Sequence, residues 1–180
     1  PTIQDGYPVC PCASCTDGLR YNDTTASCTA CEIGKFAYQD EPGCRLCEPG
    51  QYTNAPRQTT CQKCGSGQYT DEPGQSMCKQ CPLGWIGAQR DEGKFCKPCV
   101  AGTYAEETGR TECDHCVAGK FQNITGQTEC KDCGVGKYSD EEMMSPGIEA
   151  CKNCPTGFIQ STTGQGECNP CGKGEFQDLE

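Results

Sequence analysis

The sequence predicts a small, disulfide-rich fold of β and irregular structure, built as a linear array of about ten repeats that form an extended rod. Cys-x-x-Cys pairs recur along the chain, cysteine makes up 21 of the 180 residues, and large aliphatic residues are scarce. The ten pairs begin at Cys12, Cys28, Cys44, Cys61, Cys78, Cys96, Cys113, Cys130, Cys151 and Cys168, in steps of 16 to 21 residues. A fixed period of this kind is the mark of a repeat array and not of one globular domain.

The composition shows what must hold such an array together. Leu, Ile, Val and Phe number only 19 of the 180 residues, and the net charge is −10. A chain with these values is normally disordered, because it cannot bury enough apolar surface to offset the loss of conformational entropy. Disulfides replace the missing core: closing a loop of about 15 residues stabilises by roughly 3 kcal/mol on the chain-entropy model. We therefore expect reduction to unfold the array.

The first half of most repeats has the form Cys-x-x-Gly-x-aromatic; two repeats have Ile86 and Ile159 at the aromatic position, and the first repeat departs with Arg20 there and Tyr21 next. The glycine three places after the second cysteine of each pair suits a positive φ or a close backbone approach. The residue two places after this glycine predicts a short strand, and where it is aromatic we expect its ring to cover a neighbouring disulfide. The glycines are Gly18, Gly34, Gly50, Gly67, Gly84, Gly102, Gly119, Gly136, Gly157 and Gly174; the later residues are Phe36, Tyr52, Tyr69, Ile86, Tyr104, Phe121, Tyr138, Ile159 and Phe176.

The second half of each repeat is polar and usually contains another glycine. The Asp-Glu-Pro-Gly runs at 40–43 and 71–74 predict type II turns, with Pro and Gly at the central positions. Gly93, Gly109, Gly126 and Gly164 take the equivalent position, and one repeat has Arg57-Gln58 instead. No segment has a helical period, so the regular structure should be short β-hairpins.

The pattern Cys-x-x-Cys-Pro-x-Gly-x-Tyr with a later Gly and Cys resembles the ephrin-receptor-like cysteine repeats of extracellular multidomain proteins. It is also similar to the simplest module of tumour-necrosis-factor-receptor cysteine-rich domains. The resemblance covers 12–180, with the last repeat incomplete, and leaves 1–11 as a lead segment. The proline is present at Cys81-Pro82 and Cys154-Pro155, and most repeats lack it.

The resemblance implies that the second cysteine of one pair bonds the first cysteine of the next, a local closure with a small entropic cost. The implied bonds are Cys15–Cys28, Cys31–Cys44, Cys47–Cys61, Cys64–Cys78, Cys81–Cys96, Cys99–Cys113, Cys116–Cys130, Cys133–Cys151 and Cys154–Cys168. Cys10, Cys12 and Cys171 are left over. Either the chain is a segment of a longer array, or Cys171 bonds Cys10 or Cys12 of another protomer.

Disulfide density indicates an extracellular or cell-surface protein. The first residues have no apolar run, which points to a mature form or a fragment, and no stretch of about 20 apolar residues predicts a membrane span in this segment. With 25 acidic against 15 basic residues and no basic cluster, nucleic-acid binding is not expected.

Three alternative sites are weaker than the disulfide interpretation. Cys-x-x-Cys pairs also suit zinc, but histidines and basic segments do not accompany them. His115, the single histidine, lies between Cys113 and Cys116 without a nucleophile to activate. The acidic pairs at 40–41, 71–72, 91–92, 106–107 and 140–142 lack the ligand spacing of a calcium loop. We therefore expect no enzyme, no cofactor and no bound metal.

Asn22-Asp23-Thr24 and Asn123-Ile124-Thr125 are N-glycosylation sequons in predicted loops, so N-linked glycans are expected on Asn22 and Asn123. Trp85 and the insertion at Met143-Met144 are the local departures from the repeat and the candidate protein interface. The sequence thus favours a structural scaffold segment that self-associates into a surface fibre, appendage or matrix. The alternative is a receptor-type ectodomain that binds a protein ligand.

Overall fold

The computed structural model describes residues 3–4, 7–8, 15–22, 24, 27–38, 43–90, 93–140 and 151–174. These residues contain no helix, and their twenty short strands form ten two-stranded sheets between consecutive strands, so the predicted hairpins are confirmed. The strands are β1 Ile3–Gln4, β2 Tyr7–Pro8, β3 Leu19–Asn22, β4 Ser27–Ala30, β5 Lys35–Phe36, β6 Arg45–Leu46, β7 Gln51–Tyr52, β8 Gln62–Lys63, β9 Gln68–Tyr69, β10 Lys79–Gln80, β11 Trp85–Arg90, β12 Gly93–Pro98, β13 Thr103–Tyr104, β14 Asp114–His115, β15 Lys120–Phe121, β16 Lys131–Asp132, β17 Lys137–Tyr138, β18 Lys152–Asn153, β19 Phe158–Ile159 and β20 Asn169–Pro170.

From β3 onward, each repeat consists of one hairpin and one disulfide. We define a repeat as the stretch from an opening cysteine, the second of a Cys-x-x-Cys pair, to the residue before the next one. Within the described residues this gives nine repeats. They are repeat 1 (15–30), repeat 2 (31–46), repeat 3 (47–63), repeat 4 (64–80), repeat 5 (81–98), repeat 6 (99–115), repeat 7 (116–132), repeat 8 (133–153) and repeat 9 (154–170).

One disulfide closes each repeat, with Cα–Cα distances of 5.6 to 5.8 Å. Each bond joins the two ends of its hairpin over 13 to 18 residues of sequence. The bonds join the same residues that the resemblance implied: Cys15–Cys28, Cys31–Cys44, Cys47–Cys61, Cys64–Cys78, Cys81–Cys96, Cys99–Cys113, Cys116–Cys130, Cys133–Cys151 and Cys154–Cys168.

The chain divides into two compact units. The first comprises Pro1–Lys79 with Gln89–Phe95, and the second comprises Gln80–Ala88 with Cys96–Glu180. The disulfides of repeats 1 to 4 lie in the first unit and those of repeats 5 to 9 in the second. The rod expected from the sequence depends on how these units are placed, and it stays a prediction.

The buried positions differ from those expected. The opening cysteines of repeats 2 to 9 are buried, and so is the residue that follows the aromatic position: Ala37, Thr53, Thr70, Ala105, Gln122, Ser139 and Gln160. The aromatic side chains are only half-buried, and Ile159 is exposed. The rings therefore supply only part of the buried surface, and their contact with a neighbouring disulfide stays a prediction. Alternation along a strand explains the difference, because the residue after the ring points to the opposite face. At Thr53, Thr70 and Ser139 that face meets the preceding repeat.

The turn that follows each opening cysteine has the backbone that its glycine predicts. All ten of these glycines have positive φ, from 71° to 89°. The later turn in the repeat has a second residue of this kind, at Gly43, Gly74, Gly109, Gly126 and Gly164. Repeat 3 uses Arg57 there, with a φ of 62°. The position therefore needs a left-handed backbone, and arginine adopts it at an energetic cost when glycine is absent.

Successive repeats are joined mainly by backbone hydrogen bonds. Between repeats 6 and 7, Gly102 N donates to Gln122 O at 2.6 Å and Ala105 N donates to Gln127 O at 3.1 Å. In the other direction, Gly126 N donates to Cys99 O at 2.8 Å and Cys116 N to Gly102 O at 3.0 Å. The same four bonds recur between repeats 2 and 3, 3 and 4, 5 and 6, and 8 and 9. This interface uses the main chain, so it tolerates variation in most side chains.

Contacts also reach the second neighbour within each unit. A Cβ added to Gly34 would overlap the carbonyl of Gly74, two repeats further on. In the second unit, Gly84 faces the carbonyl of Gly126 in the same way, and Gly119 faces that of Gly164. The sequence suggested that each repeat touches mainly its immediate neighbours. In the structure, the later turn of one repeat packs on the first turn of the repeat two places earlier.

Candidate interaction surfaces

The sulfur atoms are used in cross-links. Eighteen of the described cysteines form disulfides, so they are not available as zinc thiolates. Cys171 has a free thiol, and its backbone N–H donates to Gly157 O at 2.9 Å. The opening cysteines of earlier repeats donate in the same way to the turn glycine of the preceding repeat. Cys10 and Cys12 lie outside the described residues. The described part of the chain contains no group of three or more His, Cys, Asp or Glu arranged to hold a metal ion.

The buried polar side chains after the aromatic positions have two structural roles that the sequence analysis missed. Thr53 and Thr70 join adjacent repeats, because their Oγ1 atoms accept from Gly34 N at 2.8 Å and Gly50 N at 2.6 Å. Gln122 instead holds its own loop: Nε2 donates to Glu129 O at 2.8 Å, and Oε1 accepts from Ile124 N at 3.1 Å. The available signal was a polar or small residue six places after the opening cysteine, at 53, 70, 122, 139 and 160.

Both sequons place asparagine seven residues after an opening cysteine, immediately beyond the aromatic part of the hairpin. Asn22 ends β3 and is half-buried, and its Oδ1 accepts from Thr24 N at 2.9 Å. Asn123 and Thr125 are both exposed, at the loop of repeat 7. The two asparagines thus occupy the same position of the repeat, in repeats 1 and 7.

Trp85 lies at the start of β11 and is 38% exposed. Its Nε1 is 3.7 Å from the position that a Cβ would take on Gly126, and Pro98 Cβ is 3.6 Å from the same position. Leu83 and Ile124, which flank this contact in sequence, are 47% and 49% exposed. Trp85 is therefore part of an exposed apolar area at the contact of repeats 5 and 7. Met143 and Met144, the other candidate interface residues, lie outside the described residues.

The charged side chains form surface ion pairs. Lys79 Nζ hydrogen-bonds Asp71 Oδ1 at 3.2 Å; this bond holds the pKa of the Asp71 carboxyl below its usual range and raises the pKa of Lys79. A hydrogen bond to Asp132 at 2.8 Å likewise raises the pKa of Lys120. Arg110 contacts both carboxylate oxygens of Asp114, at 2.7 and 2.6 Å. These exposed pairs orient side chains but add little stability.

The catalytic and calcium candidates of the sequence analysis that the structure describes include exposed side chains in both compact units. His115 is exposed in β14, where it is opposite Thr103. The acidic pairs at 71–72 and 106–107 are exposed, while those at 40–41 and 91–92 and the residues 141–142 lie outside the described residues. The described part of the chain contains no helix with the length and apolarity that a bilayer crossing needs.

These features define a tandem repeat protein in which each repeat consists of one hairpin and one disulfide. A family model described as tyrosine-protein kinase ephrin type A/B receptor-like matches residues 102–145, from the turn of repeat 6 into repeat 8. The resemblance to ephrin-receptor-like repeats is thereby confirmed for residues 102–145. No curated protein matches the chain. The disulfides and this match together indicate an extracellular domain.

Proposed function

We propose that this chain is a non-enzymatic structural segment of an extracellular or cell-surface assembly, a glycosylated fibre, appendage or matrix built by self-association. One observation carries the proposal: repeats join through main-chain hydrogen bonds, and most of the aliphatic side chains that the structure describes are exposed. A chain with so few aliphatic residues would bury them if stability were their only use. Apolar surface of this kind suits association between molecules.

Four exposed aliphatic side chains of the second unit lie on equivalent turns. Leu83, Val100, Val117 and Val135 each lie one or two residues after an opening cysteine, in repeats 5, 6, 7 and 8. The two residues between the opening cysteine and the turn glycine are uncharged in repeats 5 to 9, although the net charge of the chain is −10. Two copies can therefore approach along these turns without the like-charge repulsion that opposes contact elsewhere. We assign lateral self-association to this row of turns.

Sedimentation velocity and electron microscopy test this function. The chain should form concentration-dependent oligomers, and Val100→Ser, Val117→Ser and Val135→Ser together should weaken them, because they remove apolar area from the turns. A matched control with Thr16→Ser, Ser66→Thr and Thr156→Ser changes equivalent turn positions without changing the apolar row. A chain that stays monomeric up to high concentration, and native material without a repeating assembly, would reject the proposal.

A receptor-type ectodomain is the second candidate. The observations that favour it are the half-exposed Trp85 and the receptor named in the matching family description. Tryptophan in a partly open apolar setting is a common binding hot spot. In this case Trp85→Ala should abolish binding of a soluble protein ligand, while Phe158→Ala, at the residue corresponding to Trp85 in repeat 9, should not. Binding that survives Trp85→Ala would remove the support that Trp85 gives to this candidate.

N-linked glycans on Asn22 and Asn123 belong to the same proposal. The exposed side chains of Asn123 and Thr125, and the terminal position of Asn22 on β3, support modification at both sequons. Glycosylation would keep an apolar-surfaced repeat protein dispersed until it assembles.

A further inference from the structure

We propose that the N-glycan on Asn123 packs its first sugars on the exposed apolar side chains around Trp85. This surface, the Trp85 patch, consists of Leu83, Trp85, Pro98 and Ile124, all in the second compact unit. The inference rests on the glycosylation proposed above and adds to it a position and a structural role for one glycan.

The loop of repeat 7 presents the sequon in a fixed conformation. Gln122 is buried; its Oε1 accepts from Ile124 N, inside the sequon, and its Nε2 donates to Glu129 O, beyond it. Gln127 Nε2 donates to Thr125 O at 3.4 Å. Asn123 and Thr125 are exposed. A transferase in the secretory pathway can therefore reach both the amide and the hydroxyl.

The same loop brings the sequon to the Trp85 patch. Gly126, which directly follows the sequon, packs on the turn at Gly84, and its Cβ position is 3.7 Å from Trp85 Nε1. Three residues of chain span at most about 11 Å, so Asn123 lies within roughly that distance of Gly126. Ile124 lies between them and is 49% exposed. The first sugars of a glycan on Asn123 can therefore reach the indole of Trp85.

The chemistry of the two partners matches. A bond forms between the Asn123 amide nitrogen and C1 of the first N-acetylglucosamine; the bond from C1 to a lipid-linked diphosphate breaks, the diphosphate leaves with the electron pair, and the amide loses a proton. The sugar ring has an apolar face of C–H groups and an acetyl methyl. Burying these groups against an indole and aliphatic side chains removes apolar surface from water, which is favourable. The hydroxyl groups of the sugar stay in solvent.

Trp85 is the single tryptophan of the chain, so its fluorescence reports on this site alone. The protein should be produced in a eukaryotic secretory host, and occupancy of Asn123 established by glycopeptide mass spectrometry. Acrylamide quenching of Trp85 is then measured before and after enzymatic removal of the glycans under native conditions. We expect removal to increase the quenching constant and to shift the emission to longer wavelength. Thr125→Ala, which blocks modification, should give the quenching of the deglycosylated protein.

Repeat 9 supplies a matched control. Its loop is held in the same way, since Gln160 Nε2 donates to Glu167 O at 2.8 Å and Gln160 Oε1 accepts from Thr162 N at 3.3 Å. Ser161→Asn creates a sequon at the corresponding position of that loop, which packs on the turn of Gly119 instead of that of Gly84. A glycan there should leave the quenching of Trp85 unchanged. Asn22→Gln should also leave it unchanged.

Three results would overturn the inference. The first is an unmodified Asn123 in protein whose Asn22 is modified, which would leave glycosylation of the chain intact but reject this site. The second is an occupied Asn123 whose removal does not alter quenching. The third is protection of Trp85 that rises with protein concentration in the absence of the glycan, which would make a second copy of the chain the occupant. If neither asparagine is modified, the proposed glycosylation fails as well.

Discussion

At the level of single residues, the glycine three places after each opening cysteine meets two independent demands. Its positive φ disfavours any side chain with a Cβ. At Gly34, Gly84 and Gly119 the carbonyl of a later repeat also occupies the space that a Cβ would need. Gly136 has a similar backbone, with a φ of 74°, but a Cβ there would meet none of the described residues within 4 Å. These positions allow the two demands to be measured separately.

We predict that Gly119→Ala is more destabilising than Gly136→Ala. The left-handed backbone should cost roughly 1–2 kcal/mol at either position. At Gly119 the added methyl group must also displace the carbonyl of Gly164, which packs on it from repeat 9. Urea denaturation followed by circular dichroism would measure both changes. Equal losses of stability would show that the contact with the second-neighbour repeat is unimportant.

A second prediction concerns the ion pair of Asp71 and Lys79. Lys79→Met should return the pKa of Asp71 towards its usual value, because the hydrogen bond to Lys79 is the largest cause of the lowering. A carboxyl with a lowered folded-state pKa stabilises the fold above its unfolded-state pKa, and that contribution is lost as the pH falls through the folded-state value. The free energies of unfolding of the unsubstituted protein and of Lys79→Met should therefore converge as the pH falls.

Titration of the Asp71 carboxyl by nuclear magnetic resonance would measure this pKa in both proteins. Lys152→Met removes the same charge from the second compact unit, where Lys152 pairs with Asp140 at 3.8 Å, and should leave Asp71 unaffected. An unchanged pKa in Lys79→Met would contradict the prediction.

At the level of elements, the hairpin and its disulfide form one structural unit. The strands are mostly two residues long, and such a hairpin is not stable alone in water. The disulfide joins its ends, and the opening cysteine supplies the buried surface on which the neighbours pack. In repeat 6, for example, Cys99 is fully buried and forms a small cluster with Ile86 and Ala105. The disulfide thus cross-links the repeat, and its opening cysteine is part of the buried core.

Removal of one disulfide should therefore unfold its repeat. Cys99→Ser with Cys113→Ser opens a loop with a sequence separation of 14. The expected loss is about 3 kcal/mol from loop entropy alone. Hydrogen exchange should show lost protection in repeat 6 and at its contacts with repeats 5 and 7. Cys171→Ser is the matched control, because that thiol is free. Retained protection in repeat 6 would contradict the prediction.

At the level of the whole molecule, stability is distributed over many equivalent contacts. Each interface of successive repeats has up to four main-chain hydrogen bonds, and each bond contributes roughly 0.5–1.5 kcal/mol net. Second-neighbour contacts add coupling within each compact unit. Few of these interactions involve large apolar side chains, which is why the chain depends on its covalent bonds.

Full reduction should accordingly abolish the fold. Treatment with a strong thiol reductant at neutral pH should remove the β-turn and hairpin signal in circular dichroism and increase the hydrodynamic radius, because the unfolded chain regains the entropy that the disulfides restrict. Oxidised protein treated with the same concentration of the corresponding alcohol is the control. Retention of the compact state after complete reduction would show that packing alone suffices.

The repeat period and the turn glycines were predictable because they depend on chemistry within one repeat. A Cys-x-x-Cys spacing and a glycine three residues later are visible at every position of the array. The burial of Gln122 and the exposure of Phe158 were not predictable in this way. Residue type suggests the opposite assignment, and the outcome depends on which face of a short strand turns inward in the folded array.

The sequence by itself thus determined the repeat and its hairpins, because cysteine spacing limits which closures are short. With the family resemblance it also indicated the disulfide pairing. The three-dimensional fold was needed to show that the residue after most rings is buried, that Arg57 adopts the left-handed backbone of a turn glycine, and that Trp85 lies beside Gly126. These features arise from the path of the backbone between successive repeats. That path brings together residues about 40 positions apart, such as Trp85 and Gly126, whose relation no local pattern records.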